Sequence, residues 1–496
     1  MIAEQQITIP QIKPQKLFIG GKWLEPSTGR YFKTINPATE ESIADIAEAG
    51  EADVDLAVKA ARSAFDKSKW TTMNQSERGR LLWRIADIMT EKADELALLE
   101  TLDTGKPISE SRNIDVVEAI DVFRYYAGWA TKIEGSTIPA KGNYFTYTLR
   151  EPLGVVVAIT PWNFPLLLAV WKIAPALACG NTVILKPASQ TPLTALKLAE
   201  IFQEAGVPEG VFNVITGPGA TVGMALVRHT GVDKIAFTGE TTTGQEIMRQ
   251  AVGTLKRVSL ELGGKSPNIV FADADLDAAA KGAFNGIFYN KGEVCCAGSR
   301  LFVEERIHDA LMEKLIDRTK KVVPGDPLNP KTRLGPLSSS NQLKKVIGYV
   351  ESGKKDGAEL VTGGSRVDVR GDGKGYYFNP TIFDRVDNNM KIAREEIFGP
   401  VLATISFKDF DDVIEKANNT IYGLAAGIWT RDVKRAHKAA RLLKAGTVWV
   451  NTYNILEPTM PFGGYKMSGF GRELGREAIE QYTQVKSVWI DLSEPK

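Results

Sequence analysis

Two of the three cysteines in the chain stand side by side in Tyr289-Asn290-Lys291-Gly292-Glu293-Val294-Cys295-Cys296-Ala297-Gly298-Ser299-Arg300. Gly292 and Gly298 flank the pair, as expected where backbone passes close to another group or takes dihedrals that side chains avoid. The apolar run Leu301-Phe302-Val303 that follows reads as a buried strand. A thiol on a loop at the mouth of a sheet is placed for chemistry. As a thiolate it attacks an electrophilic carbon and later leaves it, which suits covalent catalysis. Histidine is scarce: His229, His308 and His437 are the only three, and none has a second histidine or a cysteine at ligand spacing. No zinc or haem site is expected, and a Cys–His hydrolase is disfavoured. Three cysteines are too few for a disulfide framework, which points to a reducing compartment, the cytoplasm.

A net charge of +1, with acidic and basic residues interspersed, leaves no electrostatic footprint for nucleic acid. Residues 1–15 carry Glu4 and no apolar run of leader length, so no secretory signal is expected. The most apolar stretch, residues 153–179, is long enough for a membrane span. Pro161, Pro165, Pro175, Asn163 and Lys172 break it, and it reads as a buried strand, loop and helix.

The elements that must hold these groups follow from periodicity. Residues 52–66, 76–102 and 114–133 repeat apolar positions at helical spacing, and 143–150 alternates like an exposed antiparallel strand. From residue 153 apolar runs alternate with helical patterns. Strands are expected at 155–160, 182–186, 211–215, 234–237 and 257–260, with helices at 166–178, 191–205, 220–229 and 241–252. Such β–α–β units imply a doubly wound parallel sheet with its crevice at the carboxyl ends of the strands. A second series has strands at 268–271, 301–304, 401–407, 424–429 and 447–451. The tail, 484–492, reads as one more strand, and a terminal strand of this kind often pairs with another subunit.

Several segments together carry a resemblance. They are Pro161-Trp162-Asn163-Phe164-Pro165, Lys186-Pro187, Phe237-Thr238-Gly239, Leu260-Glu261-Leu262-Gly263-Gly264-Lys265, the stretch from Gly292 to Cys295, Glu396-Ile397-Phe398-Gly399-Pro400 and Pro461-Phe462-Gly463-Gly464. In their order and spacing the chain resembles the NAD(P)-dependent aldehyde dehydrogenase superfamily over nearly its whole length. The resemblance implies an α/β fold with two doubly wound parallel-sheet domains and a small bridging β element. Residues 1–132 and 154–264 would bind dinucleotide, 265–480 would form the catalytic domain, and 133–153 with 481–496 would form the oligomerisation element. Exchange of these strands between subunits would give a homodimer or homotetramer.

The resemblance also implies roles. Cys295 is the expected nucleophile, with Cys296 a neighbour. Asn163 and the Cys295 N–H would hold the alkoxide formed on attack. Glu261, a carboxylate in an apolar run, matches the family's base for hydrolysing a thioester, and Lys172 with Glu473 matches a pair that passes protons outward. Glu293 stands where many members carry Gln. A second carboxylate would hinder ionisation of the thiol, so it is expected to point elsewhere. For the cofactor, NADP or NAD, the implied contacts are Thr160, Trp162, Lys186, Ser189, Gly219, Gly223, Phe237, Gly239, Glu396 and Phe398. Gly217, Gly219 and Gly223 are spaced one residue too long for G-x-G-x-x-G, consistent with the family's different binding mode. Ser189 replaces a Glu usual in NAD-specific members, so NADP use is expected. Glu240 replaces a Ser near the pyrophosphate and is expected to turn away, or to leave the pyrophosphate mobile. Phe164, Trp171, Tyr289, Val294, Leu456 and Phe462 would line the path of a small aldehyde, general aliphatic or apolar. Asp115 and Glu118, three apart on a helix, together with Glu457 across the channel mouth, raise the alternative of an amino-aldehyde or betaine-aldehyde.

Overall fold

The computed structural model describes residues 11–494. Most of the leader reading, and the first ten and last two residues of the expected domain ranges, lie outside the described residues.

Two large sheets organise the chain. The first runs, in spatial order, Gly469–Phe470, Arg257–Glu261, Lys234–Thr238, Val155–Ile159, Thr182–Lys186, Phe212–Val214, Leu17–Ile19 and Lys22–Leu24. Its interior pairs are parallel and antiparallel strands close both ends. The chain builds outward from Val155–Ile159 to Phe212–Val214, then returns to lay Lys234–Thr238 on the other side of Val155–Ile159. The order reverses between those two strands, which is where a doubly wound sheet opens a crevice. The second sheet runs Glu359–Thr362, Thr381–Asp384, Val401–Phe407, Arg300–Glu304, Pro267–Val270, Ala425–Trp429 and Thr447–Val450, parallel except at its first pair. Both interiors are mostly apolar runs, as a sheet covered on both faces requires, with the strands Lys234–Thr238 and Arg257–Glu261 carrying buried polar side chains.

The strand Gly469–Phe470 lies late in the chain, beyond every strand of the second sheet, yet it completes the first sheet by pairing with Leu260 and Glu261. The helix Pro165–Ala178 is buried along its whole length. It packs on the first sheet and on the helices Gln75–Glu91 and Val116–Trp129. Each fully buried Leu or Ile there contributes roughly 1.5–3 kcal/mol.

Three helices differ from the periodicity. The stretch 76–102 divides at Lys92, whose φ of −99° and ψ of 17° end Gln75–Glu91 and start Ala93–Thr104. The expected helix from 220 opens with a wide π turn, Gly219–Gly223. A second π turn, Ser111–Asp115, precedes Val116–Trp129. It turns Asp115 inward, where its carboxylate bonds the Lys106 ammonium, both side chains being fully buried. Asp115 therefore does not stand at a channel mouth beside Glu118.

The tail strand Thr483–Asp491 pairs antiparallel with Tyr144–Pro152 of its own chain, from Thr483 opposite Pro152 to Asp491 opposite Tyr144. This ribbon exposes Phe145, Leu149, Val485 and Trp489. No helix among the described residues is long and apolar enough to cross a membrane.

The Lys106–Asp115 pair has no access to water, so removing one partner strands a buried charge. Lys106→Met is expected to lower stability by about 3 kcal/mol or more, read from the urea midpoint. The double variant Lys106→Met with Asp115→Leu should recover most of that loss.

Candidate active site

The loop that carries Cys295 is built against its neighbours. The helix Leu276–Phe288 gives way to a turn, Tyr289–Gly292, in which Asn290 and Lys291 are left-handed, with φ of 44° and 60°. Gly292 follows at φ +72°, and a Cβ there would stand 2.2 Å from the Gly399 carbonyl oxygen. The flanking glycine is thus required twice, by dihedral and by space. Left-handed non-glycine residues cost about 1–3 kcal/mol each and need support. Lys291 Nζ donates to the Thr104 carbonyl at 3.0 Å and pairs with Glu293 at 3.1 Å. Glu293 accepts the Ser338 N–H at 2.9 Å. Its carboxylate is committed to the loop's anchors and away from the thiol, as the electrostatics demanded. Asn290 Nδ2 donates to the carbonyls of Asn163 and Glu293 at 3.1 and 3.2 Å. Asn163 Nδ2 also donates to the Glu293 carbonyl, at 2.9 Å. That bond uses one of the two amide N–H groups of Asn163, which lines the same cavity as Cys295.

Of the three cysteines, Cys295 alone is partly exposed. Its thiol is pushed well above the ordinary range, first by its hydrogen bond with Cys296, then by burial and by the carboxylates of Glu396 and Glu261. Cys296 points towards Asn454 Oδ1, at 3.6 Å, and Cys179 is buried with its thiol pushed up to about 12 by desolvation.

Cys295 and Leu168 line two cavities that meet at the thiol. One, of about 410 Å³, is mainly apolar and takes in Phe164, Trp171, Tyr289, Val294, Leu456 and Phe462. Trp171 and Phe462 meet edge to face with centroids 5.5 Å apart, and Phe164 lies 6.0 Å from Tyr289. Glu118 lines this cavity too, half-buried, its carboxyl pushed up to about 8 by desolvation and by the nearby charges of Asp115 and Glu457. Phe284 and Phe288 add ring faces that the motifs did not single out. Their spacing of four on the helix leading into Tyr289 was the available signal.

The other cavity, about 360 Å³, opens at the carboxyl ends of Val155–Ile159 and Lys234–Thr238, the reversal point of the first sheet. Trp162, Asn163, Gly239, Glu261, Glu396 and Phe398 line it. Phe398 is left-handed at φ 60° and meets Trp162 edge to face at 5.2 Å. Gln342 holds that strained residue by donating to the carbonyls of Ile397 and Phe398. Gln342 and Lys345 also line the cavity and were not foreseen. Ser339 caps their helix by accepting the Gln342 N–H, and Ser-Ser-Asn-Gln is a readable helix start. Glu396 accepts the Gly264 N–H at 3.0 Å, and burial pushes its carboxyl up to about 7. Glu240 is exposed at the start of Thr241–Ala251 and lines the cavity, so it does not turn away from it.

Glu261 ends its strand 4% exposed, with no well-aligned donor on either carboxylate oxygen. Burial raises its pKa well above the ordinary value, and the Glu473 carboxylate beside it raises it further. Lys172 Nζ bonds Glu473 at 2.5 Å and Thr238 Oγ1 at 2.6 Å.

Other expected contacts sit farther out. Lys186 is buried, donates to the Pro187 carbonyl at 3.0 Å and meets no carboxylate among the described residues; burial alone brings its ammonium down to about 8. Ser189 Oγ donates to the Gly217 carbonyl at 3.0 Å. Thr160 is buried with its hydroxyl unpartnered. Phe237 lies in the core beneath the sheet, its ring filling the space under Gly239, so it does not line the cleft. Gly219 and Gly223 belong to the π turn and do not line the cleft either. Among the described residues no group of His, Cys, Asp and Glu is arranged to hold a metal ion.

Residues 23–488 match the model of the aldehyde dehydrogenase family. DhaS of Bacillus subtilis (strain 168) is 52% identical over 480 residues, covering 97% of this chain and 96% of that protein. Aldehyde dehydrogenase 1A1 of Homo sapiens is 49% identical over 491 residues, covering 98% and 97%. An aldehyde dehydrogenase from Bacillus cereus, solved as an NAD+ complex, superposes with a TM-score of 0.95 at 49% identity, covering 97% of each chain. With the family model spanning almost the whole chain and relatives at half identity over their full length, the chain belongs to the aldehyde dehydrogenase family.

Proposed function

We propose that the chain oxidises an apolar aldehyde to a carboxylic acid through a covalent adduct on Cys295, which water then releases. The observation that carries this reading is the position of Cys295 at the junction of the two cavities, one apolar and one at the sheet's reversal point. The aldehyde carbon meets the thiol from the apolar side. The other amide N–H of Asn163 and the Cys295 backbone N–H hold the oxygen as it gains charge. Glu261 lines the same cleft as the thiol, and burial beside the Glu473 carboxylate raises its pKa, which makes it a stronger proton acceptor than an ordinary carboxylate. It first draws the proton from the thiol, whose pKa its surroundings raise, then activates water against the thioester. Lys172 and Glu473 stand behind Glu261 to take the proton onward.

The residues present fit a nicotinamide dinucleotide. Lys186 is a buried cation without a counter-charge, the Thr160 hydroxyl is buried without a partner, and Trp162, Glu396 and Phe398 line a cleft that ends at the thiol. When bound, the nicotinamide accepts the hydride lost from the aldehyde carbon. Trp162 and Phe398 would flank its ring, Glu396 its ribose, and Lys186 with Ser189 the adenosine ribose.

Because Ser189 puts no carboxylate beside Lys186, NADP is expected to be used at least as well as NAD. The exposed ribbon and its apolar side chains favour a homodimer or homotetramer, and three unpaired cysteines favour the cytoplasm.

The cavity also bears on the substrate. A carboxyl pushed up to about 8 is mostly neutral at pH 7, so Glu118 offers little charge to a cation, and Asp115 is spent on Lys106. Aromatic and aliphatic walls favour an uncharged aldehyde.

Cys295→Ala should reduce dehydrogenase and esterase turnover by about a thousandfold or more with the fold intact by circular dichroism. Glu261→Gln should still give a stoichiometric burst of reduced cofactor, followed by a steady state slowed about a hundredfold. Undiminished steady turnover would remove Glu261 as base. Ser189→Glu should move the kcat/KM ratio towards NAD, and a preference for NAD of roughly a hundredfold in the unaltered chain would refute the cofactor reading. An uncharged aldehyde should exceed an amino-aldehyde of equal length in kcat/KM at pH 7 by about tenfold. A preference for the amino-aldehyde that Glu118→Gln abolishes would reverse that assignment.

A further inference from the structure

A row of polar side chains crosses one face of the first sheet, where a parallel sheet is ordinarily apolar. The parallel strands Lys234–Thr238 and Arg257–Glu261 pair Lys234 with Arg257, Ala236 with Ser259 and Thr238 with Glu261. Alternation puts all six side chains on one face. The intervening residues Ile235, Phe237 and Leu260 point the other way, into a separate apolar core. Covering the polar row are the helix that carries Lys172 and the segment that carries Glu473 and Tyr482.

Lys234 is the unexplained member. It is 1% exposed, yet it bonds no carboxylate. Its Nζ donates to Ser259 Oγ at 2.9 Å and lies 5.1 Å from the Tyr482 ring. The charges that face it are Glu473, Arg257 and Lys172. A buried lysine without a counter-ion loses stability as an ammonium and readily becomes a neutral amine. Burial here brings it down to about 7, so it can take up and give back a proton near neutrality. The row starts at Glu261 and Thr238, beside the cleft, and ends at Arg257, which is exposed and donates to the Thr483 carbonyl at 3.3 Å.

We propose that Lys234, working through Ser259, carries the proton released in hydrolysis from the Glu473–Lys172 pair to solvent at the Arg257 edge of the sheet. This rests on the reading of Glu261 as the base. Water gives one proton to the Glu261 carboxylate as its oxygen joins the acyl carbon; the C–S bond to Cys295 then breaks, the carboxylic acid leaves, and the sulfur keeps the electron pair as thiolate. Glu261 returns to carboxylate by passing that proton to the Glu473–Lys172 pair. The Lys234 amine takes it up as ammonium and releases it to water at the edge, so one proton enters and one leaves.

The test uses the full-length protein and p-nitrophenyl acetate. The p-nitrophenolate burst reports acylation of Cys295, and the following steady rate reports hydrolysis. Lys234→Met should keep a stoichiometric burst, lose about tenfold in the steady rate and lose the rise of that rate with pH around neutrality. Lys234→Arg keeps a cation that cannot release its proton, so it should be as slow. Ser259→Ala should be slowed to a lesser extent. An unchanged steady rate in Lys234→Met, or a rate restored in Lys234→Arg, overturns the proposal. Should Lys234→Met fail to fold, Ser259→Ala decides: a slowed steady rate with an intact burst supports the relay, and an unchanged rate overturns it. Glu261→Gln run in parallel separates the two readings. If it does not slow hydrolysis, the base assignment falls and the relay with it. If it stalls hydrolysis while Lys234→Met does not, the relay alone falls.

Discussion

The close approach of Gly292 to the Gly399 carbonyl is the constraint on which the site depends. A Cβ would stand 2.2 Å from that oxygen, so the loop before Cys295 lies directly against the backbone after Phe398. Two left-handed residues bring the chain there, and buried hydrogen bonds from Lys291, Glu293 and Asn290 keep it there. The same contact therefore sets the thiol and the Phe398 wall of the cavity at the first sheet's reversal point in one piece. Asn163 is tied to this loop through the Glu293 carbonyl, so the third participant moves with the other two.

The site is assembled from opposite ends of two sheets. Glu261 stands at the carboxyl end of a strand in the first, and Cys295 precedes the amino end of Arg300–Glu304 in the second. The strand Gly469–Phe470 ties the late segment bearing Glu473 to the strand of Glu261. Arg300 secures the far side of the loop that carries Cys295, its guanidinium donating to the carbonyls of Lys265, Lys416 and Ala417. Glu261 and Cys295, carried by separate sheets, thus line one cleft from opposite sides of the chain's two halves.

How much of this was legible in the residues depended on the kind of signal. Buried parallel strands announce themselves as apolar runs, and most strands of both sheets lie where those runs fall; Glu359–Thr362, Thr381–Asp384 and Gly469–Phe470 were missed, being too short or too mixed in polarity to stand out. The division at Lys92 leaves no mark, because no glycine or proline stands there and the backbone turn is decided by packing. The π turns at Ser111 and Gly219 are equally silent. A spacing of three put Asp115 and Glu118 on one side of a helix, but the wide turn before it sent Asp115 to Lys106, nine positions earlier in the chain. Glu293 was legible because electrostatics forbade the alternative. Glu240 was not, since an exposed carboxylate can line a cleft at little cost while the cleft is filled with water. Phe237 shared a motif with Gly239, yet strand alternation sends its ring to the core.

The Lys172–Glu473 bond joins residues 301 positions apart. Contacts of such long sequence separation form late, because the chain between them must first be ordered. The Lys172–Glu473 pair behind Glu261 therefore cannot exist in a chain synthesised only part-way. During refolding, helix content should return well before turnover does, and turnover becomes a reporter of the last tertiary closure. A nascent chain with an exposed and already nucleophilic thiol would be open to stray electrophiles. Here the Cys295 thiol shares a cleft with Glu261 only when the fold is complete.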